Sequence, residues 1–351
     1  MGKLYLIQDA EKIVKQFFGI KGWATILPGG YDLNFHIKCE DGQQFILKIA
    51  NAEEEKSVIE MQNAGLQWLK SAPRTFDFPK LKQTLSGESI AILDDDQSRY
   101  ARLFTYVQGT LLANMNFSFE LLKSLGNQLG QLSLAFDQFH HSAAKRFFRW
   151  DLLQAASIEE NISAIKNKED RLQVEAIFKR FKTDVIPKLS AMRTSIIHND
   201  ANPWNVLVTT TIFGKPQITG FIDFGDMVES ATICELAIAL TYAIMGKNQP
   251  LLAATAIIKS YHAVYPLHAD EIEILFDLIC IRLCVSVVNS MIRKEELLSD
   301  NVLAISEEPA WQLLRKLGKM DSLSVAKMFK EACQVDMDKE LVGADLYTCN
   351  I

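Results

Sequence analysis

Residues 196–208 carry a histidine, an aspartate and an asparagine between two apolar runs, and Asp223 ends the next apolar run. Phosphoryl transfer needs a carboxylate that orients the attacking hydroxyl and takes its proton. It also needs amide and carboxylate oxygens that hold magnesium against the phosphates. The order along the chain predicts Asp200 as the base and Asn205 with Asp223 as ligands of one or two Mg²⁺ ions. His198 is predicted to shape the loop by bonding nearby backbone.

The same loop has a plainer interpretation, an Asp/Asn-rich turn between buried strands. The His-x-Asp-x4-Asn spacing alone does not decide between the two. Apolar runs flank the loop on both sides, Asp223 ends the next strand, and a nucleotide-lobe pattern lies upstream. These three features favour the catalytic interpretation.

Lys48 lies inside an apolar strand. A lysine on a strand is often only a surface group. A nucleotide lobe, however, needs one cation that reaches the α- and β-phosphates and is held there by a carboxylate on a helix. Glu60 is the predicted partner of Lys48, in competition with the three glutamates at 53–55.

Gly29 and Gly30 begin a hairpin over residues 27–35 whose backbone amides are predicted to cover the phosphates. No Gly-Lys-Ser/Thr follows, so this is not a Walker A loop. Thr105 and Val107 end the last strand before the helical half. They predict a hinge that offers backbone C=O and N–H groups to adenine, with a plain connector as the alternative.

Residues 223–225 spell Asp-Phe-Gly, the magnesium motif of protein kinases. A helix is predicted to begin near Thr232, which leaves no room for a long activation loop. No Ala-Pro-Glu follows, and no arginine precedes Asp200. The pattern favours a small-molecule acceptor over a protein acceptor.

Trp150, Asp151 and Arg282 are candidate acceptor-site residues because they interrupt apolar helical segments. A buried arginine needs a partner. The carboxylate of an amino-acid acceptor, an internal aspartate and Glu235 all qualify as that partner.

The pattern of apolar residues divides the chain near residue 107. Strands are predicted at 34–39, 44–49, 80–85, 88–93 and 100–106, with helices at 3–18, 53–69, 120–139, 156–190, 229–246, 250–264, 269–295 and 307–335. Gly126 and Gly130, one helical turn apart, predict close packing of a neighbouring element.

We expect an α+β, two-lobed protein-kinase-like fold. Residues 1–107 would form an antiparallel nucleotide-binding lobe, and residues 108–351 a larger, mainly helical catalytic and acceptor-binding lobe.

The chain has 351 residues, 48% of them hydrophobic, and a formal net charge of −6. This charge argues against a protein that binds nucleic-acid backbones, and it suits a cationic substrate weakly. The six cysteines show neither zinc-site spacing nor the density of a disulfide scaffold. With no signal-peptide pattern and only a short run, 236–245, as its most apolar helix-like segment, the protein is expected in the cytoplasm without a membrane partner.

The chain resembles the aminoglycoside phosphotransferase and choline kinase group of small-molecule kinases along nearly its whole length, most closely its hydroxylysine kinase-like members. The resemblance is carried by GYDLNF at 30–35, LKI at 47–49, IEMQN at 59–63, FHH at 139–141, WDL at 150–152, IHND at 197–200 and GFIDFGDM at 220–227.

This resemblance implies ATP, sometimes GTP, as donor, Mg²⁺, and a hydroxyl on an amine-bearing small molecule as acceptor. It also implies Asp200 as base, Asn205 and Asp223 as metal ligands, and Lys48 as the phosphate clamp. The family usually has glycine where this chain has Asn199. Asparagine tolerates left-handed backbone better than most residues, so the loop is expected to keep its shape.

The expected reaction is direct in-line transfer of the γ-phosphoryl group without a covalent enzyme intermediate. Hydroxylysine, or another hydroxylated amino acid or amino alcohol, is the leading acceptor. One alternative is an antibiotic phosphotransferase that acts on aminoglycosides. The other is a catalytically silent nucleotide-binding module, which the Asn199 substitution alone encourages. A monomer and a homodimer are both compatible with the sequence.

Overall fold

The first half of the chain forms an antiparallel sheet packed on one helix, in a computed structural model that describes residues 5–29, 31–94, 99–296 and 307–334. Its elements are α1 (Ile7–Phe18), β1 (Trp23–Leu27), β2 (Leu33–Lys38), β3 (Gln44–Ile49), α2 (Lys56–Ser71), β4 (Leu81–Lys82), β5 (Ala91–Ile92) and β6 (Tyr100–Thr105). The strand order is β1-β2-β3-β6-β4, and β5 also pairs with β6. Gly42, with φ +83°, makes the tight turn between β2 and β3.

The second half is mainly helical. Its elements are β7 (Thr110–Leu111), α3 (Phe119–Phe136), α4 (Lys168–Arg180), α5 (Ile186–Leu189), β8 (Thr194–Ile197), β9 (Val206–Thr210), β10 (Pro216–Phe221), β11 (Val228–Ala231), α6 (Ile233–Ala243), α7 (Pro250–His262), α8 (Ala269–Glu296), α9 (Glu308–Leu317) and α10 (Ser322–Gln334). Its strands form two small sheets, β10-β9-β7 and β11-β8. The predicted α+β class with a sheet-rich half and a helical half is confirmed.

Two apolar cores support these halves. The smaller one lies between α1 and the first sheet and includes Phe35 and Leu47, both fully buried. The larger core fills the helical half, and Met61 of α2 and Phe78 also belong to it. Part of the first 107 residues therefore packs with the second half, and the predicted domain boundary itself stays a prediction.

Helices α3 and α7 pack closely because α3 presents glycines to α7. A Cβ at Gly126 would collide with the carbonyl oxygen of Ile257, and one at Gly130 would lie 2.8 Å from Cβ of Val264. The predicted close approach at these glycines is confirmed. Helix α8 is long and apolar enough over Ala269–Ile292 to cross a membrane by composition, but 78% of its most apolar window is buried inside the protein, as in a core helix.

Some predicted elements are shorter or of another type. The strand predicted at 80–85 is only Leu81–Lys82, because Pro79 lacks an N–H donor and a turn with Gly87 at φ +86° follows closely. The helix predicted at 156–190 is divided into a 3₁₀ segment at Leu152–Ala164, α4, a π turn and α5. The first residues of the helix predicted at 229–246 belong to β11, which pairs with β8.

Candidate active site

Strand β8 ends at Ile197 and leads directly into residues 198–205, the loop predicted to be catalytic and called the catalytic loop below. His198, the next residue, is fully buried. Its Nε2 donates to the carbonyl oxygen of Ile222 at 2.9 Å, and its Nδ1 accepts the backbone N–H of Asp200 at 3.3 Å. Burial lowers the pKa of His198 to about 4, so its ring is neutral. His198 is therefore a positioning residue, as predicted, and its ring ties the loop to Ile222, the residue before Asp223.

Asp200 lies in the loop with both carboxylate oxygens engaged. Oδ1 accepts from Nδ2 of Asn202 at 2.9 Å, and Oδ2 accepts from Nδ2 of Asn205 at 2.7 Å. Burial raises the pKa of Asp200 to about 6, against the opposing effect of nearby Arg282. A carboxylate with a pKa just below neutrality is still ionised at pH 7 and is well matched to accept a proton.

Asn205 and Asp223 present the oxygens that a magnesium ion would need. Asn205 donates through Nδ2 to the backbone oxygen and the carboxylate of Asp200, which leaves its Oδ1 without a hydrogen bond in the described structure. The carboxylate of Asp223 is 46% exposed. No group of three or more His, Cys, Asp or Glu side chains in the described residues is placed to hold a metal ion by itself. Two protein oxygens completed by nucleotide phosphates and water are a common Mg²⁺ arrangement, so these residues fit the ion.

Left-handed backbone occurs at two non-glycine residues of the described chain, and both are in this site. Asn199 has φ +66° and Asp223 has φ +59°. Such conformations cost about 1–3 kcal/mol each and concentrate at functional sites. The expectation that asparagine could replace glycine at position 199 without loss of the loop is confirmed.

Asn199 also carries a buried amide whose Nδ2 and Oδ1 both lack a hydrogen-bond partner. We expect Asn199→Gly to raise the free energy of unfolding by about 1 kcal/mol, because an unpaired buried amide and a left-handed backbone are both relieved. Thermal unfolding measures this change, and turnover should persist. A lower melting temperature would mean that the amide has a partner, such as an internal water.

Lys48 reaches from β3 to residues 222–227, the loop that carries the predicted metal ligand Asp223 and is called the metal loop below. Its Nζ lies 2.7 Å from Oδ1 of Asp223 and 3.1 Å from Oδ2 of Asp32. The lysine's positive charge holds the pKa of Asp223 below its usual range. Gly225 permits this approach, because a Cβ there would lie 3.0 Å from Nζ.

The predicted pairing of Lys48 with Glu60 is wrong. Glu60 is 50% exposed and pairs with Lys56 at 3.1 Å. Glu54, one of the competing glutamates, pairs with Arg146 at 3.5 Å. Helix α2 turns Gln62 toward the metal loop instead, and its Nε2 donates to the carbonyl oxygen of Gly225 at 2.8 Å.

The predicted hairpin requires glycine, and only part of the predicted hinge has backbone groups that are free of hydrogen bonds. A Cβ at Gly29 would lie 2.6 Å from the carbonyl oxygen of Asp32, so the tight hairpin needs glycine there. Gly30 lies outside the described residues. The N–H of Thr105 already donates to the carbonyl oxygen of Lys80, whereas the backbone of Val107 makes no hydrogen bond in the described structure. Thr105 is therefore not an adenine N–H donor, and Val107 remains the candidate.

The acceptor-side candidates are held inside the protein. Arg282 is 1% exposed and donates to the carbonyl oxygen of Trp150 at 2.6 Å and to the hydroxyl of Tyr242 at 3.2 Å. Its Nη2 lies 3.8 Å from Oδ1 of Asp200. Of the partners considered for Arg282, the internal aspartate is the one found, so Arg282 supports Asp200 rather than facing an acceptor.

Asp151 and Glu235 likewise support the backbone. Asp151 accepts from the hydroxyl of Ser230 at 2.6 Å and caps the 3₁₀ segment that follows it, so it is not an acceptor-site residue. Oε2 of Glu235 accepts the N–H groups of His198 at 2.6 Å and Asn199 at 3.3 Å, which stabilises the start of the loop. Burial raises the pKa of Glu235 to about 7.

Sequence reasoning missed four residues of this site: Asp32, Gln62, Arg102 and Asp226. Arg102 is a cation inside an apolar strand, the same signal that singled out Lys48. It is buried and donates to Gln62 at 2.8 Å and Asn63 at 3.0 Å. Asp226 immediately follows the Asp-Phe-Gly motif, and its pKa is raised by burial and by the neighbouring Asp200 and Asp223 carboxylates.

Comparison with known proteins identifies the family of the chain. A family model described as a phosphotransferase enzyme family matches residues 23–269. The hydroxylysine kinase of Mus musculus is 29% identical over 93% of both chains, and that of Xenopus laevis is 29% identical over 92% of both.

Solved structures share the fold at low sequence identity. An amicoumacin kinase in complex with AMP-PNP, Ca²⁺ and Ami has a TM-score of 0.66 at 14% identity, over 92% of this chain and 94% of its own. A microcompartment-associated aminopropanol kinase has a TM-score of 0.61 at 15% identity, over 93% and 98%. These likenesses show the kinase-like fold that the sequence predicted.

The family match extends over well more than half of the chain and includes both the nucleotide-side strands and the catalytic loop. The chain belongs to the phosphotransferase enzyme family and is a small-molecule kinase.

Proposed function

We propose that this protein transfers the γ-phosphoryl group of Mg-ATP to the hydroxyl of a small amine-bearing molecule, with hydroxylysine as the leading acceptor and GTP as an alternative donor. One observation carries the proposal: Asp200 bonds Asn205 at 2.7 Å, while Asp223 bonds Lys48 at 2.7 Å. The ring of His198 joins the two loops that carry these pairs, because it bonds the N–H of Asp200 and the carbonyl oxygen of Ile222. The curated relatives named hydroxylysine kinase support the choice of acceptor.

In the proposed mechanism the acceptor hydroxyl donates a hydrogen bond to Asp200. Its proton moves to that carboxylate as its oxygen bonds to the γ-phosphorus, and the bond to the β–γ bridging oxygen breaks. Lys48 binds the phosphates, and the backbone of Val107 meets the base. Asn205 and Asp223 would hold Mg²⁺, whose charge offsets the negative charge of the phosphoryl group.

An amine on the acceptor suits the charges around Asp200. The carboxylate of Asp226 makes no hydrogen bond or ion pair with another described residue, yet it interacts electrostatically with Asp200 and Asp223. Lys48 and Arg282 oppose this effect, and an ammonium group bound there would add a further positive charge beside the three carboxylates. This supports an amine-bearing acceptor in preference to a neutral sugar or alcohol.

We expect Asp226→Asn to raise KM for the amine acceptor by about tenfold or more, because a charge-assisted hydrogen bond is lost. KM for ATP and the Mg²⁺ requirement should change little. Steady-state kinetics measures all three. The matched control is Glu229→Gln, three residues after Asp226 in the chain. It removes a carboxylate that pairs with Lys145 outside the proposed site. A changed Mg²⁺ requirement with an unchanged acceptor KM would instead assign Asp226 to the metal.

The function is tested by ADP or GDP release with an acceptor panel. The panel contains hydroxylysine, lysine, ethanolamine, choline and an aminoglycoside, each with ATP and with GTP. Turnover with hydroxylysine and none with lysine is expected, since lysine lacks the accepting hydroxyl. Turnover of the aminoglycoside alone would favour the antibiotic phosphotransferase. Binding of Mg-ATP without turnover of any acceptor would favour the silent module, which the intact loop at Asn199 argues against.

A further inference from the structure

Lys48 has two carboxylate partners, and neither comes from helix α2. One is Asp223 of the metal loop, at 2.7 Å, and the other is Asp32, at 3.1 Å. Asp32 lies in the hairpin that contains Gly29, directly before β2. The side chains of Lys48 and Asp32 are only 11% and 17% exposed, so this ion pair is largely shielded from water.

Helix α2 has a different role here, because it brings amides rather than a carboxylate to the site. Gln62 and Asn63 accept hydrogen bonds from Arg102, whose strand position is directly opposite Lys48. Gln62 also donates to the carbonyl oxygen of Gly225. The helix therefore holds the neighbouring cation and the metal loop, and it leaves Lys48 to another partner.

The negative charge of Asp32 offsets the positive charges of Lys48 and Arg102, which lie opposite each other on β3 and β6. It lies close enough to affect Arg102 electrostatically as well as Lys48. If Asp223 held a metal ion, its interaction with Lys48 would weaken, because the ion would compete for the same carboxylate. Asp32 would then remain as the anion that keeps the lysine directed at the phosphates.

The position of Asp32 is itself fixed by backbone. Its Oδ1 accepts the N–H of Asn51, just beyond the end of β3, at 2.9 Å, while Oδ2 faces Lys48. One carboxylate thus connects the hairpin, the strand that carries the lysine, and the lysine head group. The lysine and the phosphate-covering hairpin are held in a defined relation.

We propose that Asp32 is the positioning residue of Lys48 for nucleotide binding, in the role for which a helix carboxylate was expected. The inference rests on the proposed function in one respect, that Lys48 binds nucleotide phosphates. Asp32 does not touch the reacting atoms. It acts through the lysine.

Asp32→Asn tests this proposal, because the amide oxygen still accepts the N–H of Asn51 while the charge is removed. We expect the Kd of Mg-ATP, measured by titration calorimetry, to rise roughly tenfold with loss of a charged partner. The Kd of adenosine, which has no phosphates, should not change. Glu60→Gln is the matched control on helix α2 and should bind Mg-ATP like the wild type.

A double-mutant cycle with Lys48→Met separates positioning from a structural effect. In the Lys48→Met background, Asp32→Asn should weaken Mg-ATP binding by no more than about twofold, because the two residues act as one unit. A full loss in that background, an equal loss of adenosine binding, or wild-type Mg-ATP affinity in Asp32→Asn would each overturn the proposal. Wild-type Mg-ATP affinity in Lys48→Met would show that the phosphate role of Lys48, and with it the proposed function, is wrong.

Discussion

Asp200→Asn is expected to lower kcat by about 10²- to 10⁴-fold, the usual contribution of a general base. Asparagine has the same size as aspartate but cannot take the proton of the acceptor hydroxyl. Its amide also cannot accept both hydrogen bonds that the carboxylate receives from Asn202 and Asn205. The Kd of Mg-ATP should change by only a few-fold, since Asp200 is not among the proposed nucleotide ligands.

The control for this variant is Asp41→Asn, in the turn between β2 and β3. Asp41 is exposed and accepts from Gln43 within the turn, and Asn-Gly is as favourable as Asp-Gly at such a hairpin. Single-turnover measurements distinguish a slow chemical step from slow product release. Full activity of Asp200→Asn would remove Asp200 from the role of base.

Asp200, Asn205 and Asp223 could be predicted as one site because phosphoryl transfer restricts both the residue types and their order along the chain. Asn205 directly precedes β9 and Asp223 closely follows β10, and the antiparallel pairing of these strands puts both residues at the same end. Asp200 closely follows β8, which belongs to the other small sheet. Lys48 was recognisable as a cation inside an apolar strand. These are local signals, which one sequence carries in full.

The wrong partner for Lys48 has a local cause. Gln62 lies four residues from both Val58 and Leu66, on the buried face of α2, whereas Glu60 lies off that face. Helical periodicity therefore pointed to Gln62, but the expectation of a carboxylate favoured Glu60.

The contact between Asp32 and Lys48 could not be predicted in the same way. It depends on how the hairpin after β1 folds back against β3, with Asn34 opposite Lys48 in the register of β2 and β3. Arg282 is a similar case, because its approach to Asp200 requires α8 to pack beside the catalytic loop. Contacts between distant segments depend on tertiary packing, which local patterns do not encode.

Asp223→Asn is expected to lower kcat by about 10²- to 10³-fold and to raise the Mg²⁺ concentration for half-maximal activity. The change weakens one of the two proposed protein ligands and removes the anion 2.7 Å from Lys48. Magnesium titrations of turnover measure the shift, and excess chelator should abolish activity of the wild type. Asp321→Asn, an exposed helix cap far along the chain, is the control. An unchanged Mg²⁺ requirement in Asp223→Asn would contradict the assignment, because a ligand cannot lose its charge without weakening its hold on a divalent ion.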